Sequence, residues 1–147
     1  MFEKIVAGVD AEPVRAGRVV EAAELVARAS GAEVLVAHVQ ELELTAAIAA
    51  TPRAGSIHPL RGDDSVSRTE AFVDLTVERF RRAGIGARGV VQPGKGSTAK
   101  ELLEIAESFG ATLIVVGDRG QRVADTLLGG VAQKILRDAD CSVLLVR

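Results

Sequence analysis

At 147 residues, 48% apolar and 26% charged, the chain has the bulk for one globular domain with a substantial core, and two domains would be cramped. A formal charge of −2, four Phe and no Trp or Tyr supply neither the basic footprint nor the stacking platform that nucleic-acid binding needs. The single cysteine, Cys141, can form no internal disulfide, no charged-then-apolar leader precedes the polar break at Asp10, and no apolar run is long enough to cross a bilayer. A soluble cytoplasmic protein is expected.

In chain order, "KIVAGV" (Lys4 to Val9) is short and β-branched, as buried strands are, and it ends at Asp10. Ala16, Val19, Ala23 and Val26 then repeat at helical spacing, with Gly31 where a left-handed cap would end the helix. "EVLVAHV" (Glu33 to Val39) is a second strand. From Gln40 to Val66 the rhythm breaks into an alanine-rich patch and then "TPRAGSIHPLRGDDS", crowded with Pro, Gly and charges. This insertion is expected to be a mobile excursion at the C-terminal edge of the sheet, either a lid or a solvated loop.

Phe72, Leu75, Thr76, Phe80 and Ala83 mark the next helix, opened by Ser67 and Glu70 at capping-box spacing and closed by Gly84. A strand over Ala87 to Gln92 follows, and then a helix bearing Ala99, Leu102, Leu103, Ala106 and Phe109. Thr98 and Glu101 stand at its start in capping-box spacing, and Gly110 follows its end. The strand "TLIVV" (Thr112 to Val116) leads into "GDRGQRVADTLLGGV", and a last helix with Leu127, Leu128, Val131, Ile135 and Leu136 precedes the strand Ser142 to Val146. Such strict alternation predicts an α/β fold: a parallel sheet covered on both faces and joined by right-handed crossovers.

Several motifs have competing readings. "GVVQPGKG" (Gly89 to Gly96) nearly spells a phosphate-cradling loop, yet Gly96 cannot supply the metal-binding hydroxyl and Gly89 falls inside a strand. "GKGSTA" (Gly94 to Ala99) fits a dinucleotide fingerprint, but on the third strand–helix turn rather than the first, so its glycines are expected simply to make the turn. Asp10 lacks the acidic partners of a phosphorelay receiver. His38 has no second His or Cys at ligand spacing and reads as a packed core histidine, while Cys141 reads as a small buried hydrophobe. No nucleophile–base constellation stands out, so catalysis is not expected and no metal is required.

A strand ending in Asp10, the strand "VLVAHV", the run "LIVVGDRG" and the terminal "LLGGVAQKILRDADCSVLLVR" together resemble the universal stress protein family over almost the whole chain. The resemblance implies a five-stranded sheet in order 3-2-1-4-5 sandwiched by helices, a Rossmann-like, adenine-nucleotide alpha hydrolase-like architecture. It also implies a homodimer and, in one branch of the family, a bound ATP or AMP. The nucleotide motif of that branch, G-x-x-G, nine residues, then G-[ST], falls on Gly117 and Gly120 and on Gly129 and Gly130, with Val131 as the following hydrophobe. Asp10 would then contact the ribose, and Val9, Val39 and Val116 would line the adenine.

Two departures stand out: eight residues separate Gly120 from Gly129, and Gly130 replaces the hydroxyl residue. The small polar residues that follow the family's first-strand aspartate are also missing, since Asp10 is followed by "AEP". Arg119 and Arg122 add positive charge that partly compensates. Two functions therefore remain open. One is a regulatory module that binds an adenine nucleotide; the other is a nucleotide-free dimeric stress or signalling adaptor acting through protein contacts. In the implied strand order "CSVLLVR" lies at the sheet edge with no Pro or inward charge to blunt it, so it is expected to pair with its copy in a homodimer.

Overall fold

The computed structural model describes residues 1–40, 62–118 and 130–147. Five strands, β1 (Lys4–Gly8), β2 (Glu33–Gln40), β3 (Ala87–Pro93), β4 (Leu113–Gly117) and β5 (Ser142–Val146), form one sheet in the order β3-β2-β1-β4-β5. Every pairing is parallel. The helices among the described residues are α1 (Pro13–Ser30), α2 (Gly62–Arg82), α3 (Thr98–Phe109) and α4 (Gly130–Asp138). The alternation read from the sequence and the order implied by the family resemblance are both present.

Side-chain alternation along the strands builds two cores. Ile5, Ala7, Val34, Val36, Leu113 and Val115 face one way and pack on Ala16, Val19 and Ala23 of α1 and on Val73, Val77 and Phe80 of α2. Val6, Ala37, Ile114 and Val116 face the other way, against Ala99, Leu102 and Ala106 of α3 and Ile135 of α4. Both faces of the sheet are therefore covered, which is why its central strands read as unbroken apolar runs.

At the N-terminal edge, Thr112 clasps β1 to the start of β4. Its Oγ1 accepts from the amides of Glu3 and Lys4 at 3.0 and 3.1 Å and donates to the Lys4 carbonyl at 3.1 Å.

The helix ends follow expectation in part. Gly31, Gly84 and Gly110 all take left-handed φ, at 71°, 77° and 73°. The starts differ. α2 begins at Gly62, so Ser67 and Glu70 lie inside it. Residues three apart are neighbours throughout a helix, and extending one costs little once it is nucleated, so capping-box spacing alone does not mark a boundary. Of the expected excursion, residues 62–66 are thus helical and residues 41–61 lie outside the described residues.

For α3 the cap is Ser97 rather than Thr98, its Oγ accepting from Lys100 N at 3.3 Å. Glu101 is one position too far along to complete a box with that cap.

Candidate functional site

From β1 the sheet grows through α1 and α2 to β2 and β3. The chain then crosses over and grows the other way through α3 and α4 to β4 and β5. Its direction reverses between β1 and β4, where Gly8 pairs with Val116, and the C-terminal ends of these two strands form the crevice where open α/β sheets bind ligands.

Asp10 stands just past β1. Its Oδ1 accepts from the amide of Glu12 at 2.9 Å and its Oδ2 from Arg15 Nε at 2.7 Å. Glu12 in turn caps α1, taking the amides of Val14 at 2.9 Å and Arg15 at 2.8 Å, with Pro13 opening the helix. Those two amides, Val14 first, hold the Glu12 carboxyl below the usual carboxylate range. Gly117 ends β4 on the far side of the crevice. A Cβ there would lie 3.4 Å from Val19 Cγ2 and 3.8 Å from Arg15 Cδ, so the Arg15 stem lies over this glycine while its guanidinium reaches Asp10.

The three valines expected around a base do not form one wall. Val9, Val39 and Val116 are all buried, but Val9 packs in the core against α1 and Val116 in the core against α3 and α4. Val39 lies two residues beyond Ala37, which faces the same side as Val116. Strand alternation separates them: Val9 continues the side of Ile5 and Ala7, and its amide pairs with the Ala37 carbonyl at 2.9 Å.

Gly130 is the exposed first residue of α4, where a Cβ would meet nothing within 4 Å among the described residues, and Val131 is half-buried against the α3 side of the core. Arg119, Gly120, Arg122 and Gly129 lie outside the described residues.

His38 is buried, with Nδ1 2.8 Å from the Val9 carbonyl. A carbonyl only accepts, so Nδ1 carries the proton, and the residue is the core histidine the sequence suggested. Cys141 is half-buried, and burial, followed by the charge of Asp140, pushes its thiol up. Among the described residues no group of three or more His, Cys, Asp or Glu is placed to hold a metal.

The glycine-rich turn after β3 is held by backbone. Gly94 N donates to the Gln40 carbonyl at 2.7 Å, and a Cβ on Gly94 would collide with that oxygen.

Two residues have roles that the sequence reading did not anticipate: Glu101, expected in a capping box, and Arg15, which it did not single out. Glu101 is 6% exposed; its Oε1 accepts from Lys95 N at 2.8 Å, and among the described residues its Oε2 has no hydrogen-bond partner. Arg15 lies in the first turn of α1, where the helix dipole disfavours a cation. That misplacement was the available signal, because it calls for nearby carboxylates, and Asp10 and Glu12 provide them.

The sequence model of the universal stress protein family matches residues 1–147. The chain is 28% identical over 152 residues to universal stress protein YxiE of Bacillus subtilis, covering 100% of each chain. Its match to universal stress protein G of Escherichia coli O157:H7 is 40% identical over 52 residues, 35% of this chain and 37% of that relative, so it spans well under half of that protein's length. Among solved structures, the universal stress protein from Archaeoglobus fulgidus in complex with dAMP superimposes with a TM-score of 0.69 at 20% identity, covering 100% of this chain and 98% of that one. With the whole length matched by the family and the strand order observed, the chain belongs to the universal stress protein family.

Proposed function

We propose that the chain is a regulatory module that binds an adenine nucleotide, AMP or ATP, at the C-terminal edge of the sheet between β1 and β4. The observation that carries this reading is the placement of Asp10 and Gly117 on opposite sides of the switch point, with Arg15 spanning them. Asp10 accepts from the ribose hydroxyls. Gly117 and Gly130 bring backbone N–H groups toward the phosphates, and Val39 and Val116, which share a face of the sheet, line the base. The dAMP complex of the Archaeoglobus relative, which shares this fold, supports the choice of ligand class.

The test is mass spectrometry of nucleotides released on denaturing protein purified from cells, followed by calorimetry with AMP and ATP. A co-purifying adenine nucleotide is expected, with a Kd weakened tenfold or more in Asp10→Asn, as befits loss of a charged acceptor. No released nucleotide, and no heat with either ligand at millimolar concentration, would refute the reading.

A second reading, a nucleotide-free dimeric adaptor, draws on β5. This strand has only β4 beside it, and its apolar residues Val143 to Val146 are half-buried. The two readings share the homodimer and differ in the nucleotide.

A further inference from the structure

Arg15 has more donors than its neighbours use. Among the described residues its guanidinium hydrogen-bonds through Nε, at 2.7 Å to Asp10 Oδ2, with Glu12 Oε2 4.0 Å from the same nitrogen, and neither Nη donates a hydrogen bond. Its side chain is 30% exposed, and the stem lies over Gly117. A guanidinium pinned through Nε by one carboxylate has a fixed plane and a free fork, the geometry that meets an oxyanion through two parallel N–H bonds.

Among the described residues the crevice offers few other anion donors. The first-turn amides of α1, which a helix end would otherwise offer to phosphate, are taken by Glu12. Gly130 brings no hydroxyl. Nor do the carboxylates leave a bare negative field, because Arg18 acts on Glu12 alongside Arg15.

We infer that Arg15 is the phosphate-reading residue of the crevice: its Nη groups bind the phosphoryl group nearest the ribose, and Asp10 holds the guanidinium in place while accepting from the sugar. This rests on the nucleotide reading above and deepens it. Affinity for a nucleotide over its nucleoside is set here by a side chain of α1, in addition to the backbone at the start of α4.

The full chain, as wild type, Arg15→Gln and Arg15→Lys, is titrated calorimetrically with AMP, adenosine and inorganic pyrophosphate, and the arginine side-chain N–H signals are followed by NMR. Arg15→Gln is expected to weaken AMP at least tenfold and leave adenosine unchanged. Arg15→Lys should recover only part of the loss, because a point charge cannot form the fork. Pyrophosphate should compete with AMP on the wild type, and AMP but not adenosine should shift the Arg15 Nη–H signals.

Equal weakening of AMP and adenosine would overturn the inference and make Arg15 only a support for Asp10. Tighter binding in Arg15→Gln would also overturn it, showing that Arg15 competes with the sugar for Asp10. Unchanged AMP affinity in Arg15→Gln refutes the inference alone. Pyrophosphate binding through Arg15 without AMP or adenosine binding refutes only the nucleotide. A wild type that binds neither AMP nor pyrophosphate refutes both.

Discussion

Asp10, Glu12 and Arg15 fall within six consecutive positions and bond to one another, so the side of the crevice proposed to take the sugar is held in place by its own residues. On the side proposed to take phosphate, Gly130 is a position where a donor can be added. Because a Cβ at this exposed residue meets nothing among the described residues, Gly130→Ser adds a hydroxyl without disturbing them. It should tighten AMP severalfold and leave adenosine unchanged in parallel calorimetric titrations; no gain would count against phosphate lying at the start of α4. At this scale the sequence was legible for position, as for Asp10 just past β1 and Gly117 at the end of β4, and for His38, whose lack of ligand partners fits its buried place beside the Val9 carbonyl. Arg15 and the opposed faces of Val9 and Val116 were not legible, because a side chain's partner and direction depend on where the backbone turns after β1.

Between elements, Glu24 staples two helices on one face of the sheet. Its carboxylate accepts from Arg28 of α1 at 2.9 Å and pairs with Arg79 of α2 at 2.7 Å, and these partners, Arg28 first, hold its carboxyl below the usual carboxylate range. A lowered folded-state pKa contributes stability above the unfolded value, lost as pH falls through the folded value. Both arginines are about half exposed, so salt and solvent limit the gain. Glu24→Gln should therefore cost about 1 kcal/mol at neutral pH in urea unfolding, with the difference shrinking once acid protonates Glu24 in the wild type. Element identity was legible from the periods of two and 3.6, and helix ends from glycines that need positive φ. Helix starts were not: Ser67 and Thr98 had the right spacing for caps, but polar side chains at that spacing also occur inside helices, and Ser97 was equally able to cap.

Across the molecule, β3 and β5 are the two edges. β5 is the apolar one, with Val143 and Leu145 on one face and Leu144 and Val146 on the other, all half-buried. An isologous pairing of β5 with its copy would satisfy the open edge, and Val143→Lys, which places a charge on that strand, should shift sedimentation at micromolar concentration from dimer to monomer. A wild type that sediments as a monomer would rule the pairing out. The alternating pattern was enough to predict a parallel sheet, but the strand order came from family resemblance, because periodicity does not say which strands are neighbours. That order also has a temporal side. β1 is made before the other four strands of the sheet yet lies in its middle, and its partner β4, with the Thr112 clasp that locks it, is made more than a hundred residues later. Until then a nascent chain carries β1 with its β4-facing edge open, so the centre of the sheet cannot close before residue 117 has been made.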